Sequence, residues 1–311
     1  MHSAQATNRH CVVCGSSNIK IHRRIHSNLS VIPEGLDRGN LVDVTVFRCA
    51  NCGLLASPEN ETTLQAYQDE SVCLDAAISK ITADTDVPSV YTFDELSWIG
   101  EPNGENILEV GCSAGYFLLR AREKGWKTFG IDVDRNAVTY AKETYDLNVS
   151  CGVLSESGYQ KDYFKAIVMI GVLEHIPDPV GFLRMARGFL KEDGLMLIAV
   201  PNASSLNAKV SRLSRHDWDM FCEPGHLYHF DIKTLSLIAE RCGLAVSNWR
   251  TTTIKIRGKV PFLPARIPGL EHTLKNFYSR SVVFRTMYEA GLKLLDLINA
   301  GDILVVKVVK K

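Results

Sequence analysis

The chain has no surplus of charge of either sign: 35 basic and 35 acidic side chains among 311 residues leave a formal net charge of zero. That balance argues against a strongly cationic nucleic-acid binder, although a local basic patch remains compatible with it. Long apolar runs are also missing. The longest aliphatic stretch, Leu195 to Val200, is far below the ~20 residues a membrane helix requires. Residues Met1 to His10 are polar and lack the apolar run of a secretory signal. No internal repeat or low-complexity tract is present. With 46% hydrophobic and 23% charged residues, the composition fits a protein with a real core and excludes disordered and fibrous classes. The expectation is a cytoplasmic protein of roughly two domains with no membrane partner.

What the chain does have is nine cysteines, which without a secretory signal read as reduced thiols or metal ligands. Four form two pairs, Cys11-Val-Val-Cys14-Gly15 and Cys49-Ala-Asn-Cys52-Gly53. A two-residue spacing turns both thiolates of a pair onto one ion, and the following glycine takes the positive φ of a tight knuckle. Two knuckles supply four sulfurs, the tetrahedral set that Zn²⁺ prefers. Between them, Ile19 to Ile25 and Leu41 to Arg48 read as hairpin strands, the arrangement of a zinc ribbon. The alternatives are a pair of redox dithiols or simply unpaired cysteines; redox motifs sit at strand-to-helix junctions, and neither pair is followed by a helical pattern. A closed four-sulfur site has a structural role. Farther on, Leu64 to Gln68 and Ser89 to Ile99 read as helical around a loop at Ser79 to Pro88.

From Glu105 the pattern changes to alternating strands and helices. A short apolar run, Asn106 to Val110, leads into Gly111-Cys112-Ser113-Ala114-Gly115. A helical segment from Tyr116 to Lys124 follows, and a second strand from Lys127 to Ile131 ends at Asp132. This is a βαβ unit with parallel strands. The two glycines let the backbone pass close to a ligand at the strand end, and the carboxylate of Asp132 can accept from both hydroxyls of a ribose. The acid Glu109 inside the strand end suits a ligand with an ammonium group and would repel a pyrophosphate.

In order, ILEVGCSAGYF, FGIDVD, IGVLEHIPDP and GLMLIAVPN make residues 106 to 202 resemble a class I S-adenosylmethionine-dependent methyltransferase. The resemblance implies a doubly wound, Rossmann-like seven-stranded sheet and S-adenosylmethionine as cofactor. It places Glu109 and the turn Gly111, Cys112, Ser113 and Gly115 along the methionine part, Asp132 on the ribose, and Val133 beside the adenine. Gly152, Val153 and Leu154 would flank the adenine ring, with Ile170 and Gly171 completing the cofactor side. Ser113 stands where glycine is most common in that turn. A knuckle pair ahead of this fold is also similar to some sugar C-methyltransferases, which are longer and carry a further C-terminal domain.

The loop after the fourth strand, Gly171 to Pro177, lies at the carboxyl edge where open α/β sheets bind ligands. His175 in it is a candidate general base, since an imidazole titrates near neutrality; the alternative is that Glu174 and His175 only orient the loop. A segment around 203–230 reads as a lid. In it Trp218, Phe221, Tyr228 and Phe230 could wall an acceptor pocket, with His226 or His229 reaching in; the alternative is simple packing. Cys222, His226 and His229 form a weaker three-ligand pattern. Asp178 and Asp231 read as helix caps, the basic stretch Lys255 to Arg266 as a solvated loop, and Leu270 to Ala300 as a long helix whose apolar side chains serve core packing or a contact in a homodimer.

The expected organisation is a zinc-ribbon-like domain over 1–57, a helical linker or cap over 58–100, and a methyltransferase domain over 101–311. The favoured activity is methylation of a small-molecule acceptor by in-line displacement. The alternatives are an RNA methyltransferase docking through the ribbon and the basic stretch, and a non-catalytic cofactor-binding module.

Overall fold

The computed structural model describes residues 10–27, 42–58, 95–213, 218–221, 225–253 and 281–311. Expectations for Leu64 to Gln68, for Ser79 to Pro88, for Cys222, for Lys255 to Arg266 and for the start of the last helix lie outside them.

Two sheets organise the chain. The larger has seven strands: β4 (Asn106–Val110), β5 (Lys127–Asp132), β6 (Val149–Cys151), β7 (Phe164–Ile170), β8 (Leu190–Pro201), β10 (Leu244–Thr252) and β11 (Ile303–Lys310). Their order across the sheet is β10-β11-β8-β7-β4-β5-β6. The strands from β8 to β6 run parallel, and β11 runs antiparallel to both its neighbours. The switch point of this doubly wound sheet falls at β4, whose partners on either side are β5 and β7.

Side-chain alternation explains why both faces are covered. Ile107, Ala166, Val168, Leu197, Ala199, Ile303 and Val305 point to one face, against α1 (Glu95–Ile99), α2 (Tyr116–Glu123) and α3 (Arg135–Tyr145). Their immediate neighbours Leu108, Ile167, Met169, Met196, Ile198, Leu304 and Val306 point to the other, against α4 (Pro179–Phe189) and α6 (Ile232–Arg241). A period of two with apolar residues at both phases is the signature of a strand buried on both sides. The helix starts follow local chemistry. Asp134 accepts from the amides of Asn136 and Ala137, Asp178 accepts from Gly181 ahead of Pro179, and Asp231 forms a reciprocal capping box with Thr234. The helix capped by Asp178 reads in the sequence as running to about Lys191 before Gly194, but α4 stops at Phe189, and Leu190 to Gly194 begin β8. Leu190 pairs with Phe164 across a register shift, so sheet pairing overrides the local helical pattern.

The smaller sheet carries the cysteine knuckles. Strands β1 (Ile19–Ser27), β2 (Val42–Cys49) and β3 (Leu55–Ala56) pair antiparallel, and its fourth strand is β9 (Tyr228–His229), from the segment expected to be a lid. The ribbon is therefore not a free appendage. Cys11, Val13, Cys49, Cys52 and Leu54 share one core with α6 and the large sheet, and Ile25, Val44, Val46 and Leu55 pack on Ala203, Ala208, Trp218 and Phe221. Helix α5 (Leu206–Leu213) follows β8, and Arg23 of the hairpin donates to its Ser211 carbonyl. The last helix, α7 (Val282–Leu297), buries Leu292 but leaves Leu294 exposed, and Ile298 just beyond it is exposed too. Among the described residues no helix is long and apolar enough to cross a membrane.

In each knuckle the glycine amide donates to the carbonyl of the first cysteine, Gly15 to Cys11 at 2.7 Å and Gly53 to Cys49 at 3.0 Å, with both glycines at positive φ. The four thiol sulfurs all lie within 4.8 Å of one another. Sulfurs around a tetrahedral Zn²⁺ at about 2.3 Å stand roughly 3.8 Å apart, so this set fits the ion. Arg241, at the end of α6, donates to the Val12 and Val13 carbonyls inside the first knuckle. That contact fastens the metal module to the large domain. Arg241→Ala is expected to cost about 1–2 kcal/mol through two lost charge-assisted bonds, a fall of a few degrees in Tm by calorimetry. An unchanged Tm would show that the grip contributes nothing.

Candidate active site

The turn after β4 is laced to the end of β5. The amides of Gly111 and Cys112 donate to the Ile131 carbonyl, and the Ser113 amide donates to Asp132 Oδ2 at 2.7 Å. The Asp134 amide takes Asp132 Oδ1 at 2.8 Å. Asp132 is thus fixed by backbone donors on both sides, while burial still pushes its carboxyl above the usual range. Ser113 sits at φ 45°, a left-handed conformation that explains why glycine is common there. Gly111, at φ 73°, is tightly confined: a Cβ would lie 2.5 Å from Val172 Cγ2. A Cβ on Gly115 would lie 2.4 Å from Leu147 Cδ1. Both glycines are demanded by neighbouring side chains, a requirement separate from any approach by a ligand. At the edge of β5 and β6, Val133 and Val153 are exposed despite being large and apolar, 51% and 45%. The Gly152 amide donates to the Asp132 carbonyl and holds those two ends together.

Val172 links this turn to a second group of residues. After β7, Leu173–His175 form a single 3₁₀ turn at the carboxyl edge of the sheet. Glu174 there is 2% exposed, and its carboxyl is pushed up to about 8 by desolvation. The His175 ring packs edge-on against His226, with centroids 4.7 Å apart. Burial holds both imidazoles below their ordinary range, His226 well below, and the neighbouring His175 and His229 add to the effect on His226. Backbone bonds hold the cluster together: the Leu227 amide donates to the Glu174 carbonyl at 2.8 Å, and the Ser57 amide donates to the Leu227 carbonyl at 2.9 Å.

The structure brings His175 and His226 together and sets His229 apart. His229 is buried, with its Nε2 2.9 Å from the Ser57 hydroxyl and its ring packed on Phe221 and Trp218. The four aromatics expected to wall a pocket are buried too. Trp218 and Phe221 join the ribbon to the lid, Phe230 lies in the main core, and Tyr228 donates to the Pro177 carbonyl. They pack the interface, as the simple-packing alternative held. Sequence reasoning missed Ser57 and gave Glu174 only an orienting role. Nothing local marks Ser57, whose partner His229 lies 172 positions away.

The strand order is that of the class I methyltransferase fold, and the sequence comparison agrees. Residues 90–248, just over half of the chain, match a family described as a methyltransferase domain. The chain belongs to that family. Among curated relatives, the ubiquinone biosynthesis O-methyltransferase of Bradyrhizobium diazoefficiens is 22% identical over 160 residues, covering 46% of this chain and 63% of its own. Its counterpart from Glaesserella parasuis is 28% identical over 112 residues, covering 33% and 48%. The chain thus spans about half to two thirds of the length of these relatives. Among solved structures, the Haloferax volcanii complex of the Trm112 activator with a methyltransferase aligns at a TM-score of 0.50 and 14% identity, covering 80% of this chain and 96% of that one. The cyclase SpnF aligns at 0.50 and 14%, covering 81% and 96%. These two likenesses describe the fold alone.

Two measurements follow from this geometry. Gly111→Ala is expected to lower stability by about 1–3 kcal/mol, from overpacking and positive φ together. Val172→Ala in the same chain should return the overpacking part, a coupling that a double-mutant cycle in urea reads directly. His229 is pulled down to about 3 by burial, so it stays neutral in the folded state where the unfolded chain takes up a proton. Its contribution is fully present above an unfolded pKa of about 6.5 and is lost as pH falls toward 3, at about 1.4 kcal/mol per pH unit. His229→Gln should flatten that acid slope by one proton in denaturant titrations between pH 6 and 4; an unchanged slope would show that His229 does not titrate on unfolding.

Proposed function

We propose that this chain transfers a methyl group from S-adenosylmethionine to an oxygen of a small-molecule acceptor. The observation that carries the reading is a juxtaposition. The side chain of Val172 lies against the Gly111 turn, where the cofactor's methionine part would lie, and its backbone leads directly into the 3₁₀ turn that sets Glu174 and His175 beside His226 on the acceptor side.

In this reading Glu109 and the turn formed by Gly111, Cys112, Ser113 and Gly115 hold the methionine part. Asp132 accepts from the ribose hydroxyls, and the exposed Val133 and Val153, with Gly152 and Leu154, sandwich the adenine. Ile170 and Gly171 close the floor beneath the sulfonium. The bound cofactor supplies a methyl group on a leaving sulfur already activated by its charge. The protein's task is to align acceptor oxygen, methyl carbon and sulfur, and to deal with the acceptor's proton. The second task falls to the cluster of Glu174, His175 and His226. His229 positions that cluster through Ser57 and Leu227. The four cysteines hold a structural Zn²⁺. The curated relatives are named for O-methylation, which supports oxygen as the acceptor atom; the acceptor class is a small molecule bearing a hydroxyl.

Calorimetric titration with S-adenosylmethionine should give micromolar binding to the wild-type chain and at least a tenfold loss in Asp132→Ala. Incubation with cofactor carrying a deuterated methyl and a panel of hydroxylated aromatics and sugars should then mark one acceptor by mass spectrometry. A folded wild-type chain that does not bind the cofactor would sink the proposal.

A further inference from the structure

Two buried polar atoms beside the proposed acceptor position, Glu174 Oε2 and His175 Nδ1, have no hydrogen-bond partner among the described residues. Leaving such atoms bare forfeits the hydration they give up on burial, so a buried pair of them calls for something the polypeptide does not provide. A proton shared between Glu174 and His175 would satisfy both at once, yet those atoms are not bonded to each other. What they offer is electron pairs. A third electron-pair donor comes from another part of the chain: His226 presents a ring nitrogen so that one donor atom from each of Glu174, His175 and His226 lies within 4.8 Å of the other two. Donors bound to one ion at about 2.1 Å stand roughly 3–4 Å apart, so side-chain adjustments under about 1 Å would close the set.

Two imidazoles and a carboxylate select a divalent transition metal such as Zn²⁺, Mn²⁺ or Fe²⁺ over Mg²⁺ or Ca²⁺, which favour all-oxygen shells. Three protein ligands also leave coordination positions open, unlike the closed four-sulfur site. We propose that Glu174, His175 and His226 bind a second, divalent transition-metal ion whose open positions take the hydroxyl oxygen of the methyl acceptor. The chemical purpose of this ion rests on the methyl transfer proposed above; its presence does not. A hydroxyl bound to the ion is acidified and releases its proton to water. The oxygen's lone pair then forms the new O–C bond as the C–S bond breaks, and the sulfonium departs as a neutral thioether. His175 and His226 serve as ligands in this arrangement, and acidification by the ion does the work otherwise asked of a base.

The test is a metal count on the full-length chain. The protein is stripped of metal, reloaded with cobalt(II), desalted, and read by elemental analysis and visible absorption. Two cobalt ions per chain are expected. One gives the intense sulfur-to-metal charge-transfer bands of the cysteine site, and the other the weaker d–d bands of a nitrogen and oxygen site. Glu174→Gln and His226→Asn should each reduce the count from two to one and leave the charge-transfer bands in place. Those bands double as a fold control, because the ribbon shares its core with the large domain. One cobalt per wild-type chain overturns the proposal, as do two ions retained in both variants. Cofactor affinity measured on the same samples keeps the two readings apart: a wild-type chain with two ions and no cofactor binding would defeat methyl transfer and leave the ion site standing.

Discussion

A ladder only two residues long, Leu55–Ala56 against Tyr228–His229, is the constraint on which the rest of this molecule depends. It converts a small metal module and a loop of the large domain into one sheet. Backbone pairing of this length is weak alone. It persists because three other contacts bear on the same frame: the knuckle carbonyls held by Arg241, the Ser57 hydroxyl on His229, and the apolar packing of Trp218 and Phe221 under the hairpin. The ladder also places His226 two residues before its start, and a relay through Ser57, Leu227 and Glu174 runs from the ribbon to the edge of the large sheet.

That frame gives the four cysteines a purpose beyond local folding. A ribbon this small cannot bury enough apolar surface to be stable by itself, and an ion bound by four thiolates supplies what the core does not. Once ordered, the ribbon provides the wall against which the histidine segment is pressed. The cysteine end of the molecule and the carboxyl edge of the large sheet are thereby joined by hydrogen bonds as well as by proximity.

The electrostatics of the edge follow from burial. Glu174 is pushed up to about 8 and His229 pulled down to about 3, so each group favours its neutral form where no compensating charge is present. Residues with such tendencies are expensive to keep inside a protein. Glu174 meets His175 and His226 at the carboxyl end of β7, whereas His229 is sealed away on Ser57, Trp218 and Phe221; a local conflict of the kind seen at Glu174 is what working sites often carry. A cyclase shares the same fold, so the sheet by itself does not decide an activity.

Much of the scaffold was legible in the amino-acid sequence because the signals act over a few residues. Two-phase apolar runs marked the buried strands, Asp178 and Asp231 cap helices through amides three residues on, and Cys-x-x-Cys-Gly folds a knuckle by itself. The turn from Gly111 to Gly115 with Asp132 after it is likewise a local pattern. Other features arose only from the tertiary structure. The start of β8 at Leu190 depends on pairing with Phe164. The burial of Trp218 and Phe221 depends on a hairpin that precedes them by more than 160 positions. The meeting of Glu174 and His175 with His226 depends on a short strand added to a distant sheet. Sequence determined which segments could be strands, helices and knuckles, since backbone geometry and side-chain period are read within one turn or one strand. Tertiary structure decided which histidines would meet and which would be sealed away, since that rests on contacts between residues that no local pattern relates.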